Sequence, residues 1–247
     1  RKLSNLVNDN DFKSFSLNLI PSKLINIINK INPDIVNLHW IGNETISIKD
    51  IKKIKSKVVW TMHDMWPFCA TEHYTLKDEF VKGYKLSKNK KIFNLFNLDN
   101  YIWNLKKNNY GNIDKIICTS EWMYEKAKKS QLFKNKKMKI IPLPIDQNFW
   151  KPVNRYHAKE FLGINKNQKI IVFGADNFLK NKRKGFEFLV KAVDILKKEN
   201  KFDYKVLTFG ETKNLNKLKS LNIENLGYIN DDVTKKILYS AADLTVI

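Results

Sequence analysis

Two groups of residues in this chain have the types and spacing to do chemistry. The first centres on histidines. His39-Trp40 and His63-Asp64 each follow a short apolar run, and His73 comes soon after the second pair. An imidazole beside a carboxylate donates or accepts a hydrogen bond to a ligand hydroxyl, such as a sugar's. The same histidine bonded to a loop carbonyl would serve structure alone, and the sequence leaves both readings open for His63, His39 and His73. Trp40 and Trp66 offer flat faces for stacking on a sugar ring, or close the rim of a domain. The second group is Lys180, Lys182, Arg183, Lys184 and Gly185, set just before an apolar-periodic run. A helix N-terminus attracts anions through its free amides and its dipole. Added cationic side chains supply the charge for a diphosphate, and Gly185 lets the backbone come close. Gly174 ends the preceding apolar run. A solvated basic loop in a lysine-rich protein is the plainer reading of the same residues.

These residues need elements to position them. Apolar runs at 35–40, 57–62, 115–119, 139–143, 169–174, 205–210, 223–229 and 244–247 read as strands. Between them lie helix-like patterns: Leu24 to Ile31, Ser47 to Lys55, Ser120 to Ser130, His157 to Leu162, Gly185 to Lys198, a stretch marked by Leu215, Leu218 and Leu221, and Val233 to Ala241. Ser47 is a candidate N-cap with Asp50 three residues on, and Gly163 a candidate C′ residue. Residues 71–112, with Phe93, Phe96, Tyr101, Trp103 and Tyr110 among lysines, show no clear period. A patternless stretch of that length is usually functional or mobile. Strand–helix alternation implies right-handed βαβ units and parallel sheets. Pro142, Pro144 and Pro152 punctuate a linker. The fold expected is therefore α/β, with two Rossmann-like doubly wound domains facing a cleft. Their expected spans are 1–150 and 151–247. Ligands of such sheets bind at the carboxyl ends of the strands, where both residue groups fall.

Composition narrows the classes further. With 43% hydrophobic and 12% aromatic residues among 247, the chain has the material for packed cores and does not read as disordered. Its 8 glycines and 6 prolines exclude collagen-like and proline-rich classes. No apolar run reaches the roughly 18 residues of a membrane span. No basic–apolar–small leader opens the sequence, and Cys69 and Cys118 suit two reduced thiols, so a cytoplasmic setting is expected. The net charge of +20 invites a nucleic-acid reading, but lysine is spread over nearly every segment and far outnumbers arginine. An anionic membrane surface or a phosphate-bearing ligand suits it better, and no nucleic-acid partner is expected. No GxGxxG, Walker A, GxSxG or HExxH pattern occurs, and no metal site is expected. The opening at Arg1 and the final strand-like Leu244–Ile247 suggest a piece of a longer protein.

Several motifs, in order, resemble one family. Val58–Phe68 (VVWTMHDMWPF) is similar to the VVWTLHDMWPF segment of family 4 glycosyltransferases, above all the colanic-acid-type enzymes of polysaccharide synthesis. Leu38-His39-Trp40 resembles their LHW, and Thr119–Met123 their PSxWL. Ile141–Asp146, with Phe149 and Pro152, resembles IPNGID…F.P. Phe173 to Phe186 resembles FGA…RKGF, Leu226–Ile229 resembles LGxI, and Tyr239–Asp243 resembles YSAAD. The matches run colinearly over about 35–247. The resemblance implies a GT-B fold and retaining transfer (EC 2.4) from a nucleoside-diphosphate sugar to a polysaccharide or lipid-linked acceptor, with no metal or other cofactor. It implies that Arg183 or Lys184 holds the donor diphosphate, and it places His63 near the transferred sugar. Beside them, Gly185 and Gly174 are expected at the diphosphate, Asp64 with His63 in catalysis, and His39, Trp40, Trp66 and His73 on the acceptor side. The sequence departs from the family in places: Leu143-Pro144 stand where the family has Asn-Gly. A glycine-rich loop expected before Arg1 and an E-x7-E pair expected after Ile247 are absent from it. The piece is accordingly expected to be inactive alone, and to act in the cytoplasm or at the inner membrane face when complete. The competing readings are another GT-B enzyme, such as a nucleotide-sugar epimerase, and a basic nucleic-acid-binding protein.

Overall fold

Short apolar runs separated by capped helices produce two parallel sheets. A computed structural model describes residues 15–84, 97–199, 203–210 and 221–247. The chain divides into two compact units between Pro144 and Ile145. Residues 145–150, assigned to the first domain by the expected boundary, belong to the second unit. There the Trp150 N–H donates to Asp146 O at 2.9 Å, and the Lys236 ammonium lies 5.1 Å from the Phe149 ring centre.

The first unit runs α1 (Leu24–Ile31), β1 (Ile35–Leu38), α2 (Ile48–Ile51), β2 (Lys57–Met62), α3 (Glu79–Lys82), α4 (Leu98–Asn109), β3 (Ile113–Cys118), α5 (Glu121–Lys129) and β4 (Lys137–Ile140). Its described strands pair in the order β1-β2-β3-β4, all parallel and all wound in one direction. β2 is central and covered on both faces: Val58, Trp60 and Met62 are buried on one and Thr61 on the other. β1 lies at the edge of the described sheet and leaves Ile35 exposed. Ser47 caps α2 as expected, its hydroxyl accepting from the Asp50 N–H at 3.2 Å. Asp50 does not reach back to complete a capping box; it accepts from Ser22 N–H and Lys53 Nζ.

The patternless stretch 71–112 contains α3 and the twelve-residue α4. The inward face of α4 is Ile102, Trp103, Lys106 and Asn109, at helical spacing. Two polar residues on the buried face erase the apolar period, which is why the helix is hidden in the sequence. Phe93 and Phe96 lie outside the described residues.

The second unit runs α6 (Arg155–Phe161), β5 (Lys169–Gly174), a 3₁₀ turn (Lys182–Lys184), α7 (Phe186–Glu199), β6 (Tyr204–Phe209), β7 (Ile223–Asn225), α8 (Asp232–Ala241) and β8 (Leu244–Val246). The strand order is β7-β6-β5-β8, again all parallel. Here the winding reverses at β5, the topological switch at which open α/β sheets take ligands. Ile171, Phe173 and Val206 face one core, and Ile170, Val172 and Leu207 the other. Gly163 takes its left-handed φ of +67° behind α6, as its C′ role requires. The strand expected over 223–229 stops at Asn225, and Gly227 turns the chain with φ +72°. Of the helix marked by Leu215, Leu218 and Leu221, the first two residues lie outside the described set.

Asp243, from the YSAAD-like motif, is a structural clamp. Its Oδ2 accepts from buried Lys159 Nζ and from Ile170 N–H, both at 2.9 Å, and so ties β5 to α6 and to the end of α8. Burial works to raise the pKa of this carboxyl, but the hydrogen bonds from Lys159 and Ile170 and the charges of Lys159 and Lys169 outweigh it and hold it below the ordinary 3.8.

Candidate functional site

The carboxyl ends of β1 and β2 deliver His39-Trp40 and His63-Asp64 to one edge of the first sheet, because the two strands pair in register with Leu38 beside Trp60. Together with Gly42, Trp60, Trp66 and His73 they line a small, partly open pocket. His39 is exposed and His63 half-buried. Their rings meet directly, His39 Nδ1 lying 2.9 Å from His63 Nε2. One proton between two neutral imidazoles leaves one donor and one acceptor on their outer nitrogens, whichever ring carries it. That is the complement of a hydroxyl, which both gives and takes a hydrogen bond.

Asp64, expected beside His63 in catalysis, has other partners. It is only 6% exposed. Its Oδ2 accepts from Trp40 Nε1 at 2.8 Å and from His73 Nδ1 at 2.5 Å, and its Oδ1 from Trp66 N–H at 3.0 Å. The carboxylate is therefore an orienting group with three donors on it. His73 is buried, and its Nε2 lies 2.8 Å from Ser16 Oγ. Trp40 is 46% exposed, with its indole N–H fixed to the buried Asp64, so it presents a held flat face. Trp66 is buried; its Nε1 donates to Ser16 O at 2.8 Å, which makes it the floor of the pocket and not an open platform.

Three contributors were not among the expected site residues. Ser16 bridges the loops below His73. Gly42 leaves room for the tryptophan: a Cβ there would stand 2.8 Å from Trp40 Cζ2. Lys106, on α4, is fully buried and donates to three carbonyls of the 66–70 loop. Burial pushes its ammonium down to about 7, against the opposing pull of Cys69, Glu72, Asp64 and Asp99. Glycine in a β-strand-end loop is a signal the sequence offers for Gly42. A lysine inside a polar-looking helix offers none.

In the second unit, Lys182–Lys184 form the 3₁₀ turn directly ahead of α7, and Gly185 joins the two with φ +70°. Arg183 is exposed and Lys184 half-buried. A fourteen-residue helix with three cationic residues at its mouth suits an anion. Gly174 ends β5 under an aromatic ring: a Cβ there would lie 2.1 Å from Phe209 Cζ. Its bareness is thus filled by packing within the unit.

Comparison with known proteins agrees with this architecture. Glycosyltransferase Family 4 matches over residues 7–149. Comparison with curated protein sequences gives no match. Among solved structures, the chain resembles sucrose-phosphate synthase from Thermosynechococcus elongatus with a TM-score of 0.56 at 17% identity, over 90% of this chain and 55% of that one. It also resembles WaaG, a glycosyltransferase involved in lipopolysaccharide biosynthesis, with a TM-score of 0.50 at 15% identity, over 90% of this chain and 68% of that one. The chain thus spans about 55% of the length of the synthase it matches. Likeness at such identities speaks to the fold, which is of the GT-B type. With the family matched across the whole described first unit, the chain belongs to glycosyltransferase family 4.

Proposed function

We propose that the complete protein moves a sugar from a nucleoside-diphosphate sugar to a glycan or lipid-linked acceptor, with retention at the anomeric carbon. The observation that carries this reading is the His39–His63 pair beside the Asp64-held indole of Trp40, at the strand ends of a family 4 domain. A paired hydroxyl partner and a flat apolar face are what a pyranose needs from a protein. In this reading His63 and His39 bond sugar hydroxyls, Trp40 stacks on the ring, and Asp64 holds Trp40 and His73 in place. Arg183 and Lys184, with the first amides of α7, take the donor diphosphate. As the glycosidic bond breaks, negative charge grows on the departing diphosphate, and fixed cations lower that barrier. The sugar passes through an oxocarbenium-like state. The resemblance to the family supports transfer without a metal.

No described helix is long and apolar enough to cross a membrane. We propose a cytoplasmic site of action, with the basic surface drawing the protein to anionic lipid. The test is calorimetric titration of the full-length protein with UDP and GDP. Lys184→Ala should weaken the nucleotide that binds by about tenfold, the size of one charge-assisted contact, with the melting temperature of the free protein unchanged. Equal affinity in the variant would remove the donor assignment. Tight, salt-steep binding to duplex DNA with no response to either nucleotide would replace the enzyme reading by the nucleic-acid one.

A further inference from the structure

Lys106 stands out among the buried groups because its partners all lie in one loop. Its Nζ donates to the carbonyls of Trp66 (2.5 Å), Ala70 (2.7 Å) and Cys69 (3.0 Å), and sits 3.6 Å from the centre of the Trp66 ring. A buried ammonium is tolerated where each of its three N–H groups finds an acceptor, and three carbonyls match three donors. The loop they belong to carries the pocket. Asp64 precedes it, His73 follows it, and the Met65 N–H closes it on His73 O at 2.9 Å. One end of that loop orients Trp40 through Asp64, while three of its carbonyls are gathered by one lysine from α4.

We infer that Lys106 is a positioning residue for the pocket: by tying down the Trp66–Ala70 loop it fixes Asp64 and His73, and through them the exposed indole of Trp40. Its bearing on sugar affinity rests on the function proposed above, whereas the positioning itself is measurable with no sugar present. The charged and titratable groups facing it are Asp64 and Cys69 on the loop ends, Glu72 beyond them, and Asp99 on its own helix. Tyr84 OH donates to Glu72, and Thr71 Oγ1 to Asp99 at 2.7 Å, so both carboxylates are held. Burial lowers the ammonium's pKa, so rising pH leaves an amine with two N–H groups for three carbonyls.

The readout is hydrogen exchange at the Trp40 indole N–H, followed by NMR in the full-length protein and assigned by the peak lost in Trp40→Phe. In Lys106→Met, protection of that proton should fall about tenfold or more at pH 6, while far-UV circular dichroism stays as in the wild type. Lys106→Gln keeps two donors and should fall between the two. Wild-type protection, corrected for the intrinsic exchange rate, should itself drop from pH 6 to pH 9, and in the variants it should not. Full protection of the indole in a folded Lys106→Met protein overturns the inference. Should Met prevent folding, the Gln variant decides, and if that also fails, the wild-type series does: constant protection across that pH range overturns the inference. A protein that binds no nucleoside diphosphate yet shows the indole effect sinks the proposed function and leaves the positioning role standing.

Discussion

The two candidate regions are built on opposite plans. In the first unit the candidate side chains are held by buried neighbours: Trp40 by Asp64, Asp64 by His73 and Trp66, and their loop by Lys106. In the second unit the candidate groups are cations at the mouth of α7, Arg183 among them exposed and Lys184 half-buried. An interlocked site is fixed before its ligand arrives, so its members fail together. A site made of surface charges binds through the sum of weakly coupled attractions, and its members can be removed one at a time.

That contrast is open to attack by mutation. The largest effect is expected from Asp64→Ala, which strands the buried donors of His73 and Trp66 and releases the Trp40 indole. Unsatisfied buried groups cost about 1–3 kcal/mol each, so urea denaturation should show a loss of about 3 kcal/mol or more, confined to the first unit. A loss under about 1 kcal/mol would mean that the network is not a unit. Gly174→Ala comes next, since its Cβ would enter the Phe209 ring. Overpacking of this kind should lower the stability of the second unit by about 1–3 kcal/mol, read by the same denaturation.

Acid tests the clamp of the second unit. The Asp243 carboxyl is held below its ordinary pKa of 3.8, so its contribution is complete above that value and fades as pH falls through the folded one. Asp243→Asn should therefore flatten the acid limb of second-unit stability in a melting series between pH 5 and pH 2. An unaltered limb would dismiss the clamp. The smallest effect belongs to Lys182→Ala. Lys182 is exposed, and its removal should weaken UDP binding by about twofold or less, well short of Lys184→Ala. Equal losses at the two positions would show a more enclosed site than the geometry gives.

Much of the scaffold was legible in the residues. β2 and β5 are near-continuous apolar runs, Ser47 and Gly163 sit where their capping chemistry demands, and helices separate most of the described strands. α4 was not legible, because Lys106 and Asn109 occupy its buried face and break the apolar period. The site was half legible. His39, Trp40, His63 and Asp64 could be placed together, since strand ends of a parallel sheet share an edge. The partners could not: nothing local tells Asp64 to bond Trp40 and His73, or His63 to meet His39, because those pairings depend on register between strands and on a loop folded from beneath. Trp66 shows the converse. Its type suggests stacking, and its position in a tight loop puts it under the pocket.

The strand orders also bear on how the two halves come to be built. Among the described strands of the first sheet, each after β1 docks on its immediate predecessor, so their pairing can follow synthesis. In the second, β5 must wait for β8, with Ile171 pairing to Leu244 across most of the unit. Long-range closure of that sort slows folding and prolongs the time an apolar edge stands bare. The second unit is therefore where chaperones would find their client.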